Sequence, residues 1–336
     1  MLSALAVLAL VSVASSAPSP SLPEQYKNNG GGGVAQQAIQ IPLSKEGVME
    51  FQVASFLQNL EVSFFKQGAE HANGWDNKDT NGVRAADEIN RIWAEEESYV
   101  ETIAELLQYN KASPVEPCQY DFPVSDEKSF FALASIISNV GIGFLINLEN
   151  RLAKTDPTII PHISRIIPVK ARHDSFFRMY AGEVPNPAAY ETTLPLEWAY
   201  NLALDFIAPG SCKNPPSYFK DVKVHPDLRL DGRGEATSLT PNSPGALHFT
   251  VGQPSMMPQG WEDRRLWIGW ANGDNMVQYT PITKEGDKLK ADLPEGLFGI
   301  VFAALTDQKD VKTTLDLVAK TLAGPLPIPL GPGKYD

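Results

Sequence analysis

Cysteine is nearly missing from this chain of 336 residues, which holds two, Cys118 and Cys212. That scarcity excludes a disulfide-dense framework and zinc sites built from repeated Cys-x-x-Cys pairs. Neither cysteine has a histidine within several residues, which counts against a thiol nucleophile. Basic residues are also in deficit. Lys and Arg number 28 against 40 Asp and Glu, a formal charge of -12, and a reader of duplex nucleic acid needs clustered positive charge to replace phosphate counterions. No nucleic-acid partner is expected. The glycine run Gly30 to Gly33 is not followed by Gly-Lys-Ser/Thr, so it is no phosphate cradle. No Gly-x-Ser-x-Gly elbow exists for a serine hydrolase, whatever could be assembled on paper from Asp205 and His248. No Asn-x-Ser/Thr glycosylation acceptor occurs either.

What remains is ordinary globular composition, 43% hydrophobic and 20% charged, in a length that suggests about two domains. Residues 1–17 carry the apolar block LSALAVLALVSVA and then Ser15, Ser16 and Ala17 before Pro18. This is the pattern of a secretory signal peptide, although its first residues hold no Lys or Arg, and the block is shorter than the ~20 residues of a membrane span. The expected location is extracellular or cell-wall associated, with no transmembrane segment. In an exported chain an isolated cysteine pair forms one disulfide more often than two free thiols, and joining Cys118 to Cys212 would close roughly ninety residues, worth about 4 to 5 kcal/mol in the chain-entropy model. Residues 18–44, rich in Gly, Pro and Ser, read as a flexible lead-in.

From Lys45 the apolar residues fall at helical spacing in four long stretches, about 46–70, 83–110, 126–153 and 157–181. Ser125 and Asp126 are plausible caps for the third. Pro168 is expected to bend or interrupt the fourth. With connections of roughly 4 to 16 residues, they satisfy the arithmetic of an antiparallel bundle, and a shorter helix near 195–207 packs on its end. Beyond Pro209 short apolar runs at 247–251, 266–270, 276–279 and 297–305 alternate with Gly and Pro clusters. They point to a small antiparallel β-sandwich; residues 310–322 fit helix or strand. The expected fold is α+β and multi-domain, a helical bundle over 45–210 followed by a sandwich-like domain over 220–336.

The bundle's apolar stripes contain polar residues. Glu61 lies among Leu57, Leu60 and Phe64, Glu96 among Ile92, Trp93 and Val100, and His173 among Val169, Phe176 and Phe177, whereas Glu95, Glu97, Glu101 and Glu105 fall mostly outside. Inward carboxylates and Glu-x-x-His pairs are how a helical bundle holds a dimetal site.

The segments Leu57 to Phe65, Ile92 to Val100, Ala134 to Gly141 and Lys170 to His173, in this order and spacing, resemble the fungal secreted ferritin-like proteins related to stress-response and late-sexual-development proteins, which have desiccation-related relatives. The likeness covers about 45–210. It implies a ferritin-like four-helix bundle, with Glu61 and Glu96 at the carboxylate positions of the first and second helices and His173 at the histidine of the fourth. Three positions depart from that pattern: Tyr99 stands for histidine, Ser138 for glutamate, and Lys170 for the glutamate of Glu-x-x-His. An ammonium beside a dication is strongly repelled at low dielectric. The same charge could instead compensate Glu61 and Glu96, giving a metal-free network of Glu61, Glu96, Lys170, His173, Tyr99 and Ser138. The resemblance therefore implies a secreted protein of stress or development with a structural or binding role, and no cofactor. The alternative is an iron or manganese oxidoreductase or metal store with a reduced ligand set. Other candidates are weaker: Glu70 and His71 with Asp76 and Asp79 as a surface cation site, His162 and His225 with no matched partner, and Trp267 and Trp270 on opposite faces of a strand, one of which could stack on a cell-wall polysaccharide.

Overall fold

The computed structural model describes residues 39–72, 74, 75, 82, 84–231 and 246–330. The signal peptide expected at 1–17 lies outside the described residues, as do most of the 18–44 lead-in and Asp76 and Asp79. The part of the lead-in that is described is packed: Ile39, Ile41 and Leu43 lie against the main core.

Four long helices appear where the periodicity places them: α1 (Lys45–Ala72), α2 (Ala85–Tyr109), α3 (Glu127–Leu152) and α4 (Ile160–Ala181). A short α5 (Leu196–Leu204) packs on α3 and α1. The helix ends have identifiable chemistry. Ser44 Oγ accepts from Gly47 N at the start of α1 and is itself held by Asp156 at 2.6 Å, which ties that start to the α3–α4 turn. Asp126, not Ser125, caps α3, accepting from Ser129 N at 2.8 Å in a capping box. Gly182 closes α4 in the left-handed region at φ 80°. Pro168 does not interrupt α4. Ile163, Ile166 and Ile167 before it and Phe176 and Phe177 after it pack on the bundle, and tertiary packing of this kind outweighs one missing backbone hydrogen bond.

Residues 129–148 of α3 contain neither charge nor proline, so α3 alone among the described residues is long and apolar enough to cross a membrane, a feature the sequence reading did not expect. Its most apolar window is 67% buried inside the protein, because α3 lies against α1, α4 and α5.

The C-terminal part forms two antiparallel four-stranded sheets, ordered β1-β2-β6-β5 and β4-β3-β7-β8. Their strands are β1 (Leu228–Leu230), β2 (Ala246–Val251), β3 (Trp267–Ala271), β4 (Gln278–Pro281), β5 (Thr283–Glu285), β6 (Lys288–Asp292), β7 (Gly299–Thr306) and β8 (Thr321–Leu330). The ambiguous stretch 310–322 resolves into α6 (Thr314–Val318) followed by the start of β8. All eight residues of β7 are buried. Side chains alternate along a strand, and both faces of β7 are covered: Val301, Ala303 and Leu305 join the core between the sheets, while Ile300, Phe302 and Ala304 join the helical core. A continuous apolar run is the sequence signature of that double burial.

The disulfide Cys118–Cys212 is formed. It staples two loop segments that also pair through their backbones, Asp121 N to Phe206 O and Ala208 N to Gln119 O, each at 2.9 Å.

Candidate functional site

Glu61 on α1, Glu96 on α2 and Lys170 and His173 on α4 meet in the middle of the bundle. Helical spacing alone brings them there, since each sits on the apolar stripe that turns its helix inward. Lys170 is 1% exposed, and its Nζ lies 2.5 Å from Glu61 Oε2 and 2.6 Å from Glu96 Oε2. Gln58, one turn before Glu61, donates through Nε2 to the same Glu96 oxygen. His173 places Nε2 2.5 Å from Glu95 Oε2. Its Nδ1 is 3.3 Å from Glu96 Oε1, within ion-pair range but off the line of a hydrogen bond.

Two expectations are refined here. Glu95 belongs to the site although its phase placed it mostly outside, because a half-buried glutamate beside Glu96 can turn back to reach His173. Gln58 was missed, yet it shares the Glu61 face at i, i+3. Of the two remaining expected members, Tyr99 lies with its ring centroid 5.5 Å from Lys170 Nζ, in reach of a cation–π contact. Ser138 is buried at 1% exposure. Among the described residues no hydrogen bond joins it to the charged groups. The part of α3 that touches Glu61 is Gly141, where a Cβ would stand 2.4 Å from Glu61 Oε1.

The electrostatics follow from burial and partners. Burial raises the Glu61 carboxyl to about 7, more than Lys170 can lower it. Burial acts the same way on Glu96, but Lys170 and His173 outweigh it and hold that carboxyl near 2. Burial would discharge Lys170 and His173; the adjoining carboxylates prevail and raise both. Lys170 with Glu96, and His173 with Glu95, are two balanced pairs, and Glu61 is left as the group that gains by keeping its proton. Tyr99 is pushed up by burial and by Glu96, Glu95 and Glu61. A second buried link, Ser135 Oγ to Asp174 Oδ1 at 2.6 Å, joins α3 to α4 beside the cluster.

Glu61, Tyr99 and Lys170 also form part of the wall of a cavity of about 550 Å³. The arrangement can hold charge in a dry interior. A metal ion gripped by Glu61 and Glu96 would have to displace the ammonium that both already hold. Among the described residues no group of three or more His, Cys, Asp or Glu side chains has the geometry of a metal site.

The other sequence candidates lie apart. His71 directs Nδ1 to Gln67 O at 2.8 Å on an exposed turn. His248 pairs with Glu285 at 3.3 Å on the outer sheet, which leaves no triad with Asp205. Trp270 is fully buried and donates to Thr280 Oγ1. Trp267 is half-buried, with Arg265 at 5.3 Å and Lys309 at 5.9 Å from its ring centroid.

The family model of the ferritin-like domain matches residues 48–183, from the first turn of α1 to just past the end of α4. Those residues are a ferritin-like domain, followed by the antiparallel β-sheet region. Among curated proteins no match is found.

Proposed function

We propose that this chain is a secreted, non-catalytic ferritin-like protein in which a buried ammonium takes the place of the metal centre, and that it serves a structural or binding role outside the cell or in the cell wall. The observation that carries this reading is Lys170 Nζ within 2.6 Å of both Glu61 and Glu96. The donor set does not fit a dimetal centre: a lysine replaces one glutamate, Ser138 another and Tyr99 a histidine, and the remaining carboxylates are already engaged by a cation. The disulfide Cys118–Cys212 supports an extracellular setting, since such bonds persist in oxidising compartments. The resemblance to fungal stress-response and sexual-development proteins supports expression under stress or during development. Trp267, flanked by two cations, is the residue we assign to contact with wall polysaccharide.

The competing reading, a single iron or manganese ion on Glu61, Glu96 and His173, draws on the meeting of Glu61 and Glu96 at Lys170 and of Glu96 and His173 at 3.3 Å. Elemental analysis separates the two. The full chain, purified without chelator, is assayed before and after exposure to Fe(II), Mn(II) and Zn(II) and desalting. The expected result is no stoichiometric metal. Near-stoichiometric metal that disappears in Glu61→Ala or His173→Ala would overturn the proposal.

A further inference from the structure

The cavity that begins at Glu61, Tyr99 and Lys170 does not end inside the bundle. It runs between α1, α3, α4 and α5 to strands β1 and β8, with a volume of about 550 Å³. That is the size of a small-molecule pocket, and far larger than the voids that close packing leaves. Its middle is apolar, walled by Leu57, Leu133, Val140, Phe144, Leu145 and Ile166. On the β side Pro325, Pro327 and Pro329 continue the wall, at alternate positions of an edge strand. Proline has no N–H, so this stretch offers a ligand apolar surface without backbone donors. Asp121, Asp205 and Arg229 line the other end and are exposed, so the cavity is closed at Lys170 and open toward β1.

Two polar features decide what kind of molecule fits. Lys170 cannot receive a further anion cheaply, because Glu61 and Glu96 already share it. His225 also lines the cavity; it is 6% exposed and its buried Nδ1 has no hydrogen-bond partner. Burial, with Lys223 nearby, pushes its pKa down to about 4, so the ring is neutral and one of its nitrogens is an acceptor. A neutral imidazole on the wall can accept from a ligand hydroxyl through whichever ring nitrogen carries no proton.

We infer that this cavity binds an elongated, uncharged lipid alcohol, with its apolar body between α3, α4 and the proline-bearing strand β8 and its hydroxyl donating to His225. A carboxylate head group would find Lys170 already engaged by Glu61 and Glu96 at the closed end. At the open end it would meet Asp121 and Asp205, with Arg229 already paired to Asp227 at 2.7 Å.

The full chain titrated with the neutral dye Nile red, followed by competition with palmityl alcohol, its methyl ether and palmitate at neutral pH, tests this. The alcohol should displace the dye, and the ether, which cannot donate, should do so about tenfold more weakly, the worth of one hydrogen bond. Palmitate should be the weakest. Val140→Phe and Ile166→Phe fill half-buried wall positions and should each weaken dye binding at least tenfold while the thermal midpoint is retained. His225→Leu should bring alcohol and ether to equal affinity with dye binding intact. Absence of dye binding, equal displacement by alcohol and ether in the parent chain, or folded Val140→Phe and Ile166→Phe variants that bind as the parent does would each overturn the inference. The first two need no variant. None of these outcomes bears on metal content, so the cavity and the metal-free centre stand or fall separately.

Discussion

Lys170 on α4 and Glu96 on α2 meet in the interior of the bundle with both side chains 1% exposed and 2.6 Å between Nζ and Oε2. A pair this dry is held by mutual compensation. Removing one partner leaves an unpaired buried charge, which costs about 3 to 5 kcal/mol, whereas replacing the whole ionic group by neutral side chains is often neutral or stabilising. Lys170→Met alone should therefore lower stability by about that amount in denaturant titration. Lys170→Met combined with Glu61→Gln and Glu96→Gln should recover most of the loss. A single variant as stable as the parent would show that the ammonium does not hold the cluster together.

Glu61 has the opposite balance. Its carboxyl is raised from 4.5 to about 7, so the folded state binds its proton more tightly than the unfolded state does. The associated stability is fully present below about 4.5 and is lost as pH rises through about 7. His225 works the other way, lowered from 6.5 to about 4, with stability lost as pH falls through that range. The informative quantity is thus the difference between Glu61→Gln and the parent. Glutamine imitates the protonated carboxyl, so the variant should gain on the parent as pH climbs from about 4.5 to about 7 and level off above it, read as thermal midpoints. A difference that is flat with pH would mean that Glu61 is ionised throughout.

The cluster was legible because the helices that carry it are long. Over a 28-residue helix such as α1 the 3.6 period leaves little doubt about which face turns inward, and Glu61, Glu96, Lys170 and His173 all sit on such faces. Glu95 was not legible, because adjacent helical positions differ by about 100°, and whether the side chain at the edge of the stripe turns in depends on its partner on another helix. The same limit explains Pro168, where packing of Ile163, Ile166 and Ile167 overrides a local breaker. In the β region β2, β3, β4 and β7 carry apolar runs and were visible. β8 was not, since Pro325, Pro327 and Pro329 read as loop, and they are tolerated because β8 is an edge strand. β6 hides its alternation, Leu289 and Ala291 buried, between charged neighbours.

The Cys118–Cys212 bond closes residues 94 apart in sequence. In the chain-entropy model such a closure is worth about 4 to 5 kcal/mol, through restriction of the unfolded chain. Its loss should be felt even though the loops it joins keep the Asp121–Phe206 and Ala208–Gln119 backbone hydrogen bonds. Cys118→Ser with Cys212→Ser, or reduction, should lower the thermal midpoint by roughly 10 °C, at about 2 to 4 °C per kcal/mol. A shift under about 2 °C would mean that these loop segments are already constrained in the unfolded ensemble.

Gly141 on α3 is where the helix comes close enough to touch Glu61, since a Cβ there would stand 2.4 Å from Oε1. Glu61 cannot simply retreat, because Oε2 is held by Lys170 at 2.5 Å. Alanine in the middle of a helix ordinarily stabilises relative to glycine, by roughly 0.5 to 1 kcal/mol. At this position the overlap should reverse the sign, with a net loss of about 1 to 3 kcal/mol, as expected for overpacking a filled site. Because the neighbour that must move is one named carboxyl, the two positions should be coupled: in the Glu61→Ala background Gly141→Ala should become neutral or stabilising. A double-mutant cycle on thermal or denaturant unfolding measures this directly. Equal costs in the two backgrounds would place the crowding elsewhere than at Glu61.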